Sequence, residues 1–175
     1  MSLQTPLGER VELERQKRFM AAHAACHDRI YRYFRRRAEN ASTAEDLCAE
    51  VFRIAWEKSG QGEVLSAMFL FGVAQNVRRN HLRSAARSAN LMLQLRLERT
   101  EQSGDADGSV QEALARLKPD EREVLLLTYW DGFSSTELSD LLNTTATAIR
   151  MRLHRARKAL GRLLQTEHES EEYQR

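Results

Sequence analysis

The stretch from Ser134 to Leu164 constrains the fold of this chain most, because it combines two helical patterns with a tight turn between them. Serine hydroxyls at its start, on Ser134 or Ser135, can cap a short helix. Asn143 tolerates a left-handed backbone and can therefore end that helix. The hydroxyls of Thr144 and Thr145 can cap a second helix. The pattern predicts a helix-turn-helix.

The second helix of this pair has one apolar side and one cationic side. Its apolar side chains recur at steps of four, three and four residues: Ile149, Leu153, Ala156 and Leu160. The opposite face carries Arg150, Met151, His154, Arg155, Arg157 and Lys158. No acidic residue occurs between Arg150 and Arg162. A helix with a buried back and a cationic front fits the major groove of DNA in both shape and charge.

Basic amphipathic helices also occur as solvated faces, as calmodulin-type targets and as membrane-surface anchors. A membrane anchor needs a wide apolar face, whereas this stripe is narrow and includes Ala156. The short capped helix and turn in front of the basic helix favour DNA binding over a solvated face or a calmodulin-type target. We therefore interpret the second helix as DNA-binding.

The rest of the chain is predicted to be all-α. Prolines number two and glycines eight among 175 residues, and runs typical of strands are lacking. Apolar residues return at helical spacing over about residues 11–38. A second helix is expected to be capped by Ser42 and Thr43, and a third to begin near Val64.

Composition shifts divide the chain into two small helical domains. The first is predicted over residues 10–88 and the second, which contains the helix-turn-helix, over residues 109–165. Between them, residues 89–108 are predicted to form a flexible linker, rich in Gln, Ser, Gly and Asp in its second part. Residues 166–175 form an acidic tail, which we expect to shield the recognition helix when DNA is absent.

The formal net charge of +2 hides a strong segregation of charge. Residues 64–97 carry five arginines and no acidic residue, which predicts a second contact with a polyanion. On this third helix Asn76, Arg79, Asn80 and Arg83 are expected to point outward. Phe69 and Phe71 could stack on exposed bases or belong to the core, and the core is preferred for Phe71.

The second predicted helix has a buried stripe and an acidic side. Leu47, Val51, Ile54 and Ala55 form the stripe, with Phe52 and Trp56 beside it. Asp46 and Glu50, four residues apart, share an exposed face. Their spacing is equally consistent with a solvated face and with a docking surface for a basic partner.

Cysteine usage predicts neither a disulfide scaffold nor a metal centre. Cys26 and Cys48 are too few and too isolated for a scaffold. Cys26 lies close to His23 and His27, but it is on the apolar stripe of its helix and no second ligand pair follows. A buried thiol is the preferred interpretation. With no signal peptide and no apolar run long enough to span a bilayer, a cytoplasmic protein with no cofactor and no membrane insertion is expected.

Both halves of the chain resemble extracytoplasmic-function sigma factors, the compact class of bacterial transcription initiation factors. The run ALARLKPDEREVLLLTYWDGFSSTELSDLLNTTATAIRMRLHRARKAL, from Ala113 to Leu160, is similar to region 4 of that family. Ala44 to Leu47, followed by Glu50 to Phe52 and Trp56, resembles region 2.2. Phe69 to Asn76 is similar to the start of the helix of regions 2.3 and 2.4.

The resemblance implies a role for each group of matching residues. Docking onto the clamp helices of the largest polymerase subunit is implied for Asp46, Leu47, Glu50 and Val51. Contacts with the −10 promoter element are implied for Asn76, Arg79, Asn80 and Arg83. Contacts with the −35 element are implied for Thr145, Thr147, Arg150, Met151, Arg152, His154, Arg155, Arg157 and Lys158. The expected partners are core RNA polymerase, including the flap of its second-largest subunit, promoter DNA and an anti-sigma factor.

Two other classes of function compete with a sigma factor. A self-sufficient helix-turn-helix regulator would dimerise on an operator, but the segment after the recognition helix is short and then acidic. An enzyme acting on nucleic acid would need converging catalytic groups or a phosphate loop, and neither pattern is present. No catalytic residue is therefore predicted.

Overall fold

The computed structural model describes residues 7–93 and 108–172, with side chains described for 8–87 and 110–165. All regular structure in these ranges is helical. The helices are α1 Leu7–Arg35, α2 Ala41–Ser59, α3 Ala67–Leu93, α4 Gly108–Arg116, α5 Pro119–Tyr129, α6 Ser135–Leu141 and α7 Ala146–Glu172. They divide into two compact units, one formed by α1 to α3 and the other by α4 to α7. The all-α prediction is confirmed.

The first unit is built on an aromatic core. Tyr33, Phe34 and Phe71 are completely buried. The ring of Tyr33 meets both phenylalanine rings edge to face, with centroids 5.1 Å from Phe34 and 5.7 Å from Phe71. This is the geometry that aromatic quadrupoles favour. The preference for Phe71 as a core residue is confirmed.

Arg15 joins α1 to the end of α2. Its guanidinium lies over the indole of Trp56, with Cζ 3.9 Å from the ring centroid. One terminal nitrogen donates to the carbonyl oxygen of Trp56 at 2.7 Å, and Nε donates to Ser59 Oγ at 3.0 Å. The last turn of a helix leaves carbonyl groups without partners inside the helix. Arg15 supplies one such partner from another helix.

Two predicted helix starts are wrong by a few residues. The side chain of Asn40, and not that of Ser42 or Thr43, caps α2: its Oδ1 accepts from the backbone N–H of Thr43 at 2.8 Å. Helix α3 starts at Ala67, where Ser66 Oγ accepts from the N–H of Phe69 at 3.1 Å. In both cases the better-placed cap residue lies directly before the helix, so it decides the start.

The buried side of α2 is also rotated from the predicted stripe. Its buried residues are Ala44, Cys48, Val51, Phe52 and Ala55, whereas Leu47 and Ile54 are half-buried. Helix α2 packs against both α1 and α3. Two packing partners bury a wider side of the helix than a single stripe predicts.

The second unit has an aliphatic core. Leu125, Leu127, Leu138 and Ile149 are completely buried and come from three of its helices. Pro119 occupies the start of α5, as predicted, and Asp120 and Glu121 follow in the first turn. Helix α7 packs against α4, α5 and α6. The basic helix is therefore held by the three other helices of its unit.

The predicted domain boundaries do not coincide with the ends of the helices. Helix α1 begins at Leu7, before the predicted domain start, and α3 continues to Leu93, five residues into the predicted linker. Most of that linker falls on residues 94–107, which lie outside the described residues. The backbone of α7 continues to Glu172 through most of the predicted acidic tail. Residues 173–175 are also outside the description.

Candidate nucleic-acid interface

Helix α6 begins with a reciprocal capping box. Glu137 donates its backbone N–H to Ser134 Oγ at 3.2 Å, and its carboxylate accepts the backbone N–H of Ser134 at 2.8 Å. Two donors at the helix start are thereby satisfied. The N-cap role predicted for Ser134 is confirmed, and Ser135 is the first residue of the helix.

The turn between α6 and α7 depends on Asn143. Its φ is +50°, in the left-handed region that asparagine tolerates better than most residues. The N–H of Leu142 donates to the carbonyl of Leu138 at 3.0 Å, which closes the end of α6. Thr145 Oγ1 then accepts from the N–H of Ala148 at 3.1 Å and caps α7. The predicted roles of Asn143 and Thr145 are confirmed.

The predicted apolar stripe of α7 faces the core. Ile149, Leu153 and Ala156 are buried, and Leu160 is half-buried. The opposite face is exposed at Thr145, Thr147, Arg150, Met151, His154, Arg155, Arg157 and Lys158. Met151 keeps 58% of its surface accessible, which is high for an apolar side chain. The geometry leaves this whole face available to a ligand.

Two arginines lie on the flanks of α7, between its exposed face and its buried stripe. At about 100° per residue, Arg157 lies roughly 40° from Leu153 on one side, and Arg152 roughly 40° from Ala156 on the other. Arg152 is half-buried and Arg157 is exposed. A helix in the major groove has phosphates along both of its sides, so flanking cations are placed for phosphate and the central ones for base edges.

Arg157 is also held by a residue that the sequence did not reveal. Its Nε donates to Tyr129 Oη at 2.6 Å, and Tyr129 is the last residue of α5. The two residues are 28 positions apart. Neither periodicity nor a local motif connects them, so only the packing of α5 against α7 brings them together.

The outward row of α3 is confirmed as exposed. Asn76, Arg79, Asn80 and Arg83 are all solvent-accessible, while Leu70, Ala74 and Val77 are buried on the other side. Arg87 continues the row four residues after Arg83 and is exposed as well. Extending the spacing of four residues by one step would have found it.

The predicted docking face on α2 needs one correction. Val51 is completely buried in the core, so its side chain is not part of that face. Asp46 is exposed, and Leu47 and Glu50 are half-buried. The burial of Val51 agrees with the stripe predicted for this helix, so it conflicts only with the docking role that the family resemblance implied.

The carboxylate of Glu50 is already engaged within the helix. Arg53 donates to both of its oxygens at 2.7 Å and also pairs with Glu57. Hydrogen bonding from Arg53 lowers the pKa of Glu50 below its ordinary value. Asp46 makes no ion pair with any residue whose side chain the structure describes. Asp46 is therefore the more available of the two anions.

A recess of ≈ 420 Å³ opens beside this face, between α1 and α2. The residues that line it include His23, His27, Glu45, Cys48 and Phe52. The ring centroid of His23 lies 4.4 Å from that of Phe52 and 4.9 Å from that of His27. Burial raises the pKa of the Cys48 thiol to about 11, which keeps it protonated. Among the described residues, no group of three or more His, Cys, Asp or Glu side chains could hold a metal ion.

Comparison with known proteins assigns the second unit to a family model. The family model for Sigma-70, region 4, matches residues 107–160, which span α4 to α6 and the first half of α7. The ECF RNA polymerase sigma factor SigL of Mycobacterium tuberculosis is 30% identical over 159 residues, which cover 82% of this chain and 85% of SigL. The chain belongs to the family of ECF RNA polymerase sigma factors. The resemblance noted in the sequence is confirmed.

One further relative agrees with this assignment. The sigma factor BldN of Streptomyces coelicolor is 28% identical over 171 residues, and this chain spans 64% of the length of BldN. Two solved structures share the fold at 24% identity: sigma factor RpoE of Bartonella quintana with the anti-sigma factor NepR, and CnrH with the cytosolic domain of CnrY. Their TM-scores are 0.64 and 0.65, and each covers 86% of this chain and at least 90% of its own.

Both units of this sigma factor are helical, in keeping with its family. Proteins of this class are transcription initiation factors and not enzymes, and they carry helical domains of the region 2 and region 4 types. In the part of the chain that the structure describes, no helix is long and apolar enough to cross a membrane.

Proposed function

We propose that this chain is an alternative bacterial sigma factor that binds core RNA polymerase, recognises two promoter elements and helps to open the DNA between them. The observation that carries the proposal is the capped helix-turn-helix of α6 and α7, whose second helix presents a cationic face within the region 4 match. The chain would act in the cytoplasm, without chemistry or a cofactor of its own.

In this proposal α7 reads the −35 element from the major groove. Arg150, Met151, His154 and Arg155 would meet base edges, because they are exposed and lie in the N-terminal part of α7, the part with which recognition helices contact bases. Thr145 and Thr147 lie near the helix start, where recognition helices contact DNA. Arg152, Arg157 and Lys158 would bind phosphates. One arginine paired bidentately with guanine discriminates against other bases by about 1–3 kcal/mol, whereas phosphate contacts mainly position the helix.

Helix α3 would engage the −10 element. The exposed amides of Asn76 and Asn80 can hydrogen-bond with bases, and Arg79 and Arg83 can bind the backbone beside them. Holding a base outside the stack costs a few kcal/mol, which these contacts must offset. Two cationic helices in separate units suit a factor that reads two promoter elements.

The acidic side of α2 would dock onto the clamp helices of the largest polymerase subunit. Asp46, Leu47 and Glu50 present charge and a partly apolar surface, and the neighbouring recess offers room for a partner side chain. A second contact, of region 4 with the flap of the second-largest subunit, follows from the family resemblance. The same surfaces would be covered by an anti-sigma factor, the kind of partner with which RpoE was solved.

The test of this proposal is size-exclusion chromatography with bacterial core RNA polymerase. The chain should co-elute with the enzyme, and Asp46→Lys should abolish or strongly weaken co-elution by reversing charge on the docking face. Asp46 is a suitable site because its replacement breaks no ion pair with a described residue. Glu39→Lys, which changes an exposed glutamate outside α2 by the same charge, is the matched control and should co-elute normally.

Two results would contradict the proposal. Failure of the unaltered chain to co-elute at low salt, together with a dimer on DNA, would instead support an operator-binding regulator. Equal loss of co-elution for Asp46→Lys and Glu39→Lys would mean that general charge, and not the α2 face, controls association.

A further inference from the structure

A tyrosine–arginine pair connects α5 with the recognition helix at the edge of the proposed DNA interface. Arg157 Nε donates to Tyr129 Oη at 2.6 Å, and the guanidinium carbon lies 5.6 Å from the centroid of the tyrosine ring. Tyr129 remains 56% exposed and Arg157 is exposed too. No ion pair joins Arg157 to a carboxylate among the residues whose side chains are described. The charge of this arginine is therefore not neutralised within that part of the chain.

The pair offers several hydrogen-bond donors at one place. An arginine has five N–H donors, and Tyr129 takes up only the one on Nε. The tyrosine oxygen acts as the acceptor in this bond, so its own O–H can donate to a third group. No described side chain takes that proton. A positive charge beside two kinds of unused donor suits a ligand with several anionic oxygens.

The position of the pair identifies that ligand. Arg157 is on the flank of α7 that adjoins the buried Leu153, and it does not lie at the centre of the exposed face. Tyr129 belongs to a neighbouring helix and extends the donor set beyond the recognition helix itself. Donors at the side of a groove-bound helix meet the sugar-phosphate backbone before they meet bases.

We infer that Tyr129 and Arg157 together bind one phosphate of the DNA backbone beside the groove occupied by α7. This inference rests on the proposed function and adds Tyr129 to its DNA-binding residues. The hydrogen bond orients the guanidinium before DNA arrives, which reduces the rotamer freedom lost on binding. An exposed hydrogen bond of this kind contributes little to folding, so its effect should appear in binding.

The test uses the full chain and a fluorescent mixed-sequence DNA duplex, because a phosphate contact does not depend on base sequence. Tyr129→Phe removes only the hydroxyl and should weaken binding about five- to tenfold. The slope of log K against log salt should stay unchanged, since no charge is lost. Arg157→Gln should weaken binding at least as much and make the slope shallower by about 0.9.

Coupling between the two residues provides the decisive measurement. The double variant should bind only slightly worse than Arg157→Gln, because each residue needs the other to hold the shared phosphate. Trp130→Phe, which alters the adjacent exposed aromatic residue, is the matched control and should bind normally. Thermal unfolding of Tyr129→Phe should match that of the unaltered chain.

The possible failures separate this inference from the proposed function. If Lys158→Gln weakens DNA binding and Tyr129→Phe does not, the phosphate site is wrong and the sigma-factor proposal stands. If the two single effects simply multiply, the residues act separately and the shared site is overturned. If the unaltered chain shows no salt-dependent DNA binding at all, both the inference and the proposed −35 contact fail.

Discussion

The two units of this sigma factor both cap helices with polar side chains, but they differ in their cores and in the contacts that join their helices. The first packs three long helices around edge-to-face aromatic rings and joins α1 to α2 through Arg15. The second packs three helices of 7 to 11 residues and the 27-residue α7 around aliphatic side chains. Its helix-turn-helix has its helix ends defined by Ser134, Glu137, Asn143 and Thr145. A helix-turn-helix must present its second helix at a set angle, and hydrogen bonds at helix ends set that angle directly. The helices of the first unit are joined instead by aromatic packing and by Arg15, with Asn40 and Ser66 capping two of them.

The largest losses of stability should come from truncating one buried side chain in each core separately. Phe71→Ala in the first unit should lower the free energy of unfolding by about 3–5 kcal/mol, because it removes a completely buried ring that Tyr33 contacts. Ile149→Ala in the second unit should cost about 2–5 kcal/mol. Amide hydrogen exchange in each variant should rise mainly in the unit that carries the change.

An exposed apolar residue provides the control for that comparison. Met20 is 62% accessible, so Met20→Ala should change stability very little. Accelerated exchange across both units after either core substitution would show that they unfold as one, and the division into separately stabilised units would be wrong.

A medium effect is expected from Arg15→Ala, which removes the polar connection of the first unit. Two hydrogen bonds to α2 and a cation–π contact with Trp56 are lost, together with an exposed ion pair to Glu12 within α1, so the free energy of unfolding should fall by about 1–3 kcal/mol in urea titrations. The counterpart in the second unit is Ser134→Ala, which removes a helix cap and should cost about 1 kcal/mol.

Arg18→Ala is the matched control for Arg15, since Arg18 is exposed and bonds only to a carbonyl of its own helix among the described residues. If Arg15→Ala were no more destabilising than Arg18→Ala, the arginine would not hold α1 to α2. The first unit would then depend on its aromatic packing alone.

The smallest expected effect is a pH dependence of stability, which arises in the first unit where His23 lies beside aromatic rings. Burial, and then the proximity of His27, lowers the pKa of His23 below its ordinary value of 6.5. The fold therefore favours neutral His23, and the unfolded chain binds the proton more readily. Stability should be undiminished above about pH 6.5 and should fall as pH drops from there toward the lower pKa of the folded state.

His23→Gln should weaken this part of the pH dependence, as measured by unfolding midpoints between pH 5 and 8. A Gln variant with the same pH profile as the unaltered chain would mean that other groups produce the dependence. His154→Gln, which changes an exposed histidine of the second unit, is the control variant and should leave the contribution of His23 to the pH profile in place.

Much of this organisation could be predicted from local sequence. Ser134, Asn143 and Thr145 act through bonds to residues within a few positions, so their roles follow from residue type and spacing. The exposed row of α3 and the buried stripe of α7 follow from helical periodicity. The errors arose at Asn40, Ser66 and Ile54, where neighbouring cap residues compete or where one helix packs against two others.

The sequence by itself determined that this protein is helical, where its helix-turn-helix turns, and which residues of α3 and α7 face outward, because these depend on interactions over one or two helical turns. The family resemblance could also be recognised from the sequence, since it rests on ordered local motifs. Only the tertiary structure decided that Tyr129 accepts a hydrogen bond from Arg157, that Arg15 completes the end of α2, and that Phe52 rather than Ile54 belongs to the core. Each of these contacts depends on how separate helices pack, which no spacing along the chain encodes.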